Sequence, residues 1–229
     1  ATMIDREFLS KASRLKVVGR AGVGVDNVDV EAATERGVLV MNSPGGSTTT
    51  TAEHTIAMLF ALARNIPQAY RTLKDHKWEK NKFKGVELTG KTLGVVGLGR
   101  IGSDVARKCQ AIGMNVIAYD PFINPDAHLS SGLVLVDLSQ IFKEADFITV
   151  HSPLTDATRN MINKSSFPQM KDGVRILNCA RGGIINEQDL YDALKQGKLG
   201  GAAFDVFETE PNTETPLLEL DNFIATPHL

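Results

Sequence analysis

The sequence predicts an α/β chain in which a doubly wound parallel sheet follows part of a second, smaller α/β unit. Three observations carry that expectation. From Lys91 onward, short apolar runs alternate with segments of helical periodicity, as repeated strand–helix units do. The apolar runs show no polar alternation, which fits strands buried on both faces of a parallel sheet. The first ninety residues break this rhythm and carry short strands and a turn-rich seam of their own.

In the smaller unit, residues 15–18 and 38–40 are expected strands, with a helix over 29–35 that Gly37 ends. Asn42-Ser43-Pro44-Gly45-Gly46 is a cluster of turn formers, and it divides the chain into residues 1–43 and 44–229. A long helical pattern then runs from Thr51 to Lys74, with a kink expected at Pro67. Within it, residues 56–63 are apolar all round, so the helix either crosses a large core or packs against a second subunit.

In the larger unit, residues 92–96 and 115–119 are the first two expected strands. Between them Ile101, Val105, Cys109 and Ile112 recur at helical spacing, and Gly113 is placed to end that helix. Further strands are expected over 133–136, 147–150, 174–178, 202–206 and 223–225. Asp137 is a candidate cap for a helix reaching Glu144. Asn186 with Asp189 resembles a capping pair before Leu190, and Gly197 would stop that helix.

Composition excludes several function classes. A net charge of -2 over 229 residues argues against a nucleic-acid groove or an anionic membrane surface as the partner. An anionic ligand must then be held by a few local arginines. The apolar stretches fall well short of a membrane span, and no signal-peptide pattern opens the chain. Two cysteines, Cys109 and Cys179, cannot form a disulfide framework, which points to a reducing, cytoplasmic setting. No two histidines have metal-ligand spacing, so no metal is expected. His54 is read as structural, and His76 and His128 as solvated.

The most specific motif is Gly97-Leu98-Gly99-Arg100-Ile101-Gly102. Such a glycine pattern alone is weak, but here it follows an expected strand, opens an expected helix and precedes a strand ending in Asp120. That order matches the dinucleotide fingerprint of a Rossmann-type fold, and NAD is the expected cofactor. Gly97 would permit the tight turn, Gly99 would let backbone approach the pyrophosphate, and Gly102 would let helix and strand pack closely. Asp120 would accept hydrogen bonds from the adenosine ribose and repel a 2′-phosphate, and Pro121-Phe122 follow it where arginine would favour NADP. The plainer reading is a strand-to-helix turn with no ligand.

Polar residues recur at the carboxyl ends of the later strands, where doubly wound sheets place ligands. They are His151-Ser152-Pro153, Cys179-Ala180-Arg181-Gly182-Gly183, Asp205, Glu210-Pro211 and Pro227-His228. Hydride transfer from a hydroxy acid needs a base for the hydroxyl, a cation for the carboxylate and an aligned nicotinamide. Each residue also has a plainer alternative. Arg181 reads as a surface arginine, Glu210 as a loop acid, His228 as a histidine near a chain end, and His151 as a cap on the sheet edge. The set carries more weight than its members.

On these motifs the chain resembles the D-isomer-specific 2-hydroxyacid dehydrogenases along its whole length. The resemblance rests on Gly19 to Asp29, Gly90 to Gly102, Asn178 to Gly183, Asp205-Val206-Phe207 with Glu210-Pro211, and Pro227-His228-Leu229. Within the family it is nearest to members that oxidise 3-phosphoglycerate on the way to serine, and Lys77-Trp78-Glu79 through Phe83-Lys84-Gly85 points the same way.

The resemblance implies roles. His228 would be the acid/base, and Glu210 would orient it and raise its pKa. Arg181 would grip the substrate carboxylate and polarise the reacting oxygen. Asp205 would bond the nicotinamide carboxamide. Arg100 and Ile101 would lie against the pyrophosphate, and His151, Pro153, Cys179 and Ala180 would line the cofactor cleft. Arg20, Val23 and Gly24 would present backbone donors to the substrate from a small substrate-binding domain. The helix from Thr51 to Lys74 would pack on its twin in a homodimer or homotetramer.

Against the family pattern, the chain is expected to start just past an Arg-Ser pair that holds a substrate phosphate, and to stop directly after the catalytic histidine. Ser47 follows Gly45-Gly46 where phosphoglycerate-oxidising members tend to carry asparagine. Two alternatives stand beside this reading: a glyoxylate or hydroxypyruvate reductase using the same machinery, and an NAD-sensing binding protein like the C-terminal-binding corepressors, which share the fold.

Overall fold

The computed structural model describes residues 2–123 and 132–229. His128 lies outside the described residues. The chain forms two compact units, Ala1–Thr50 and Thr51–Leu229.

The smaller unit contains helix α1 (Arg6–Lys11), strand β1 (Val17–Arg20), helix α2 (Val30–Glu35) and strand β2 (Leu39–Asn42). β1 and β2 pair in parallel around a small core of Leu9, Ala32, Ala33 and Val38. Both strands lie two residues or fewer downstream of their expected places, because the register pairs Gly19 and Arg20 with Met41 and Asn42, residues that carry no strand signal. α2 starts at Asp29, whose side chain accepts from Ala32 N, and Gly37 follows its end at φ 66°. α1 was not expected. It is only six residues long, and the sign that betrays it is Asp5, which caps the Phe8 amide.

The larger unit holds α3 (Thr48–Arg64, which begins just before the division), α4 (Ile66–Lys74), β3 (Thr92–Val96), α5 (Arg100–Ala111), β4 (Asn115–Tyr119), β5 (Val134–Leu135), α6 (Leu138–Glu144), β6 (Phe147–Val150), β7 (Val174–Asn178), α7 (Glu187–Lys195), β8 (Leu199–Phe204) and β9 (Phe223–Ala225). All seven strands are parallel, in the order β5-β4-β3-β6-β7-β8-β9. The order reverses between β3 and β6, so a doubly wound sheet opens its crevice there. Alternate strand residues feed two cores. Leu93, Val95, Phe147, Leu177, Ala203 and Ile224 join α3 and α5 on one face, whereas Val96, Ile148, Val150, Ile176, Phe204 and Phe223 join α6 and α7 on the other. This explains the unbroken apolar runs in the sequence.

Four local expectations need correction. The helix expected from Thr51 to Lys74 is two helices, broken at Asn65 in the left-handed region (φ 52°, ψ 37°) rather than kinked at Pro67. Proline has no amide for the Ala63 carbonyl, so the break moves upstream. Pro67 then falls in the first turn of α4, and the Val86 amide takes the Ala63 oxygen at 2.9 Å. β8 begins three residues early, at Leu199. Leu199 and Gly201 pair with Val174 and Arg175 of β7, and a Cβ at Gly200 would collide with the Gly173 backbone. Asp137 sits at the start of α6 but its side chain makes no capping bond. Asn186 does cap α7 through Asp189 N, whereas the Asp189 carboxylate bonds Lys164 N instead of reaching back.

The all-round apolar helix is only partly buried. Ala52, Met58, Leu59, Leu62 and Ala63 enter the core, while Phe60 stays 39% exposed and Ile66, Tyr70 and Leu73 of α4 are exposed as well. Among the described residues no helix is long and apolar enough to cross a membrane.

Candidate active site

Of the segments that leave the carboxyl ends of the seven parallel strands, six carry the candidate residues of the larger unit. After β3 the backbone turns at Gly97 (φ 96°), where a Cβ would lie 2.7 Å from Ser152 Oγ and 2.8 Å from the His151 carbonyl carbon. A Cβ at Gly102 would overlap the Gly97 carbonyl oxygen, so only glycine lets α5 seat on the strand end. Gly99 differs: a Cβ there would meet no atom within 4 Å. Nothing among the described residues requires that glycine for space. Gly99 precedes a helix whose first amides have no intrahelical acceptor. A diphosphate fits such a cradle.

Asp120, at the end of β4, anchors this loop. Its Oδ2 accepts from Leu98 N at 2.8 Å and its Oδ1 from Phe122 N at 2.9 Å. Each carboxylate oxygen has a second lone pair, so ribose hydroxyls can still be accommodated. Arg100 is exposed, Ile101 half-buried and Pro153 exposed.

After β6, His151 Nε2 lies 3.0 Å from Thr149 Oγ1, and desolvation lowers its pKa to about 4. It is therefore a neutral ring at neutral pH. After β7, the fully buried Asn178 shapes the next loop: its Oδ1 accepts from Ala180 N at 3.1 Å and its Nδ2 donates to the Arg181 carbonyl at 2.8 Å. Burial pushes the Cys179 thiol up to about 12, so this cysteine lines the sheet end as an inert thiol. Arg181 Nη1 donates to the Ala180 carbonyl at 2.6 Å.

The loops after β7, β8 and β9 lock together. A Cβ at Gly182 would overlap the Phe207 carbonyl, so the residue after Arg181 packs directly on the β8 loop. The Phe207 amide donates to Glu210 Oε1 at 2.9 Å, and Glu210 Oε2 lies 2.6 Å from His228 Nδ1. A chain of contacts thus runs from the Arg181 loop to His228. His228 Nε2 makes no hydrogen bond to a described residue. Glu187, at the start of α7, accepts from Glu208 N at 2.6 Å; burial raises its pKa, and the nearby charges of Glu208 and Glu210 add to that.

Asp205 is buried at the end of β8. Its Oδ1 accepts from Thr226 Oγ1 at 2.6 Å and from Leu229 N at 3.0 Å, and His54 Nε2 of α3 lies 3.4 Å away. His54, Thr226 and Asn178 are polar residues whose site contacts the sequence did not announce. Asn178 and Thr226 each close an apolar strand, a faint sign of a buried polar anchor, but His54 sits in a helical run with no local cue.

Within the smaller unit, the Arg20 guanidinium bonds the carbonyl of Gly24, and Asn42 Nδ2 donates to the Val23 carbonyl at 2.7 Å. These bonds tie the loop's carbonyls to side chains of β1 and β2.

Known proteins resemble this chain over most or all of its length. The family model described as D-isomer specific 2-hydroxyacid dehydrogenase, NAD binding domain, matches residues 56–229. The D-3-phosphoglycerate dehydrogenase of Archaeoglobus fulgidus is 53% identical over 229 residues, which is 100% of this chain and 44% of that protein. The protein of the same name from Homo sapiens is 51% identical over 229 residues, again 100% of this chain and 43% of that one. The chain thus spans less than half the length of these curated relatives. Among solved structures, the TT0316 protein from Thermus thermophilus aligns with a TM-score of 0.90 at 39% identity, covering 98% of this chain and 72% of that one. NAD-dependent formate dehydrogenase from Staphylococcus aureus in complex with NAD aligns with a TM-score of 0.90 at 34% identity, covering 99% and 68%. With its glycine cradle, its acid at the end of β4 and a match over residues 56–229, the chain belongs to the D-isomer specific 2-hydroxyacid dehydrogenase family and carries its NAD-binding domain.

Proposed function

We propose that this chain serves the NAD-dependent oxidation of 3-phosphoglycerate to 3-phosphohydroxypyruvate, a step toward serine. The observation that carries the reaction type is the 2.6 Å pair between His228 Nδ1 and Glu210 Oε2. Relatives named D-3-phosphoglycerate dehydrogenase, 50–54% identical, support the substrate.

The open space over Gly99 supports the cofactor reading. Gly97, Gly99 and Gly102 shape a turn on which the amides of Arg100, Ile101 and Gly102 would hold the pyrophosphate, and Asp120 would hold the adenosine ribose. His151, Pro153, Cys179 and Ala180 would flank the cofactor, and Asp205 would accept from its carboxamide. When bound, NAD supplies the hydride acceptor. The protein's part is to hold and to move a proton. His228 Nε2 takes the proton of the substrate hydroxyl while Nδ1–H remains on Glu210, so the positive charge gained by the ring meets a carboxylate. Arg181 offers a forked cation to the substrate carboxylate and to the oxygen that becomes a carbonyl. The loop carrying Arg20, Val23 and Gly24 contributes to substrate binding.

Steady-state assays on the full-length protein test this reading. NAD reduction with 3-phosphoglycerate is expected, and His228→Ala should lower kcat by about 10²- to 10⁴-fold with NAD affinity retained. Turnover of glyoxylate or hydroxypyruvate with none of phosphoglycerate would identify a different substrate. Biological activity untouched by His228→Ala would instead favour a binding role.

The exposed Phe60, Ile66, Tyr70 and Leu73 support self-association through α3 and α4, as a homodimer or homotetramer. Sedimentation should show a concentration-dependent oligomer that Tyr70→Glu with Leu73→Glu converts to monomer. Both cysteines are buried free thiols, which supports a reducing, cytoplasmic setting.

A further inference from the structure

The proposed mechanism leaves unused a histidine that faces its cofactor residue. His54 Nε2, on α3, lies 3.0 Å from Thr226 Oγ1 and 3.4 Å from Asp205 Oδ1. Thr226 has a single hydroxyl proton, and it points at Asp205 Oδ1 across 2.6 Å. Toward His54 the hydroxyl can therefore only accept, so His54 Nε2 must carry the proton. Asp205 Oδ1 also accepts from Leu229 N at 3.0 Å. One carboxylate oxygen thus gathers Thr226, Leu229 and the edge of His54. The other, Oδ2, receives no hydrogen bond from a described residue, and it is not among the buried atoms that lack a partner, so it remains accessible. Asp205 is thus a buried residue with one oxygen bonded from inside and the other not.

We infer that His54 is a positioning residue for Asp205: through Thr226 it holds Oδ1 inward and so presents Oδ2 as the acceptor for an amide donor. This rests on the reading that Asp205 meets the nicotinamide carboxamide. The same clamp fixes the chain on both sides of His228, at Thr226 and at Leu229.

The test compares NAD with ADP-ribose, which lacks the nicotinamide, by calorimetry on the 229-residue chain. Asp205→Ala should lower the ratio of NAD to ADP-ribose affinity about tenfold. His54→Leu should lower the same ratio about threefold or more, with ADP-ribose affinity kept. His54→Gln, which retains an N–H near the place of Nε2, should bring the ratio back to within about twofold of wild type. If Asp205→Ala lowers the ratio and His54→Leu does not, the role of His54 is overturned while that of Asp205 stands. An equal loss for both ligands in His54→Leu makes the residue a plain support of α3 and also overturns the inference. If Asp205→Ala leaves the ratio unchanged, the carboxamide reading falls and the inference with it. Independently of any variant, nitrogen NMR of the ring should find neutral His54 protonated at Nε2. A proton on Nδ1 would sink the argument.

Discussion

At the scale of the residue, two glycines three positions apart stand in opposite surroundings. Gly102 is required by the protein itself, because a Cβ there runs into the Gly97 carbonyl, and neither backbone can yield. Gly102→Ala should therefore lower both the melting temperature and NAD affinity, the affinity by about tenfold or more. At Gly99 a Cβ meets nothing. Gly99→Ala should leave the melting temperature within a few degrees of wild type yet weaken NAD, because the added methyl occupies the approach to the α5 amides. Thermal melts beside calorimetry separate the two. Equal losses of stability would refute the assignment of Gly99 to the ligand. The three-glycine spacing is legible in the sequence, but which glycine the fold itself requires is a matter of what lies across the turn.

At the scale of the element, the break between α3 and α4 shows how one residue sets the course of a helix. Asn65 at φ 52° occupies a region that asparagine and glycine tolerate and β-branched residues avoid. Its Nδ2 also donates to the Lys84 carbonyl at 3.3 Å. Asn65→Val should cost about 1–2 kcal/mol in urea unfolding, and Asn65→Gly much less. Similar losses for the two would show that the side-chain bond, not the backbone, governs the site. The sequence signals Pro67 loudly and Asn65 hardly at all. The proline forbids the helix at its own turn, and the junction forms at the residue upstream that accepts a left-handed backbone.

At the scale of the whole molecule, burial at the sheet ends ties stability to pH. His151 is desolvated to a pKa of about 4, against an ordinary value of 6.5. Its folded pKa lies below the unfolded one, so on acidification the unfolded chain takes up the proton first. Stability is then present above pH 6.5 and falls as pH drops toward 4. Between pH 7.5 and pH 5 this one group should remove about 2 kcal/mol. Urea midpoints at the two pH values measure it, and His151→Gln should flatten the dependence. A variant with the wild-type slope would assign the effect to other groups.

The sequence by itself determined the parallel sheet, most of its strand boundaries and the glycine turn. These follow from signals within a few residues: an unbroken apolar run, a glycine where the chain must bend, an acid closing the next strand. It also nominated Arg181, Glu210 and His228, though one by one each had a plainer reading. Only the tertiary structure decided what those residues touch. Glu210 reaches His228 across 18 residues of sequence, and His54 reaches Thr226 across 172. No local periodicity encodes such pairs, since parallel strands bring distant segments side by side and the register of the sheet chooses which loop ends meet. That is why Gly97 and Asp120 could be read from the chain, whereas the clamp on Asp205 could not.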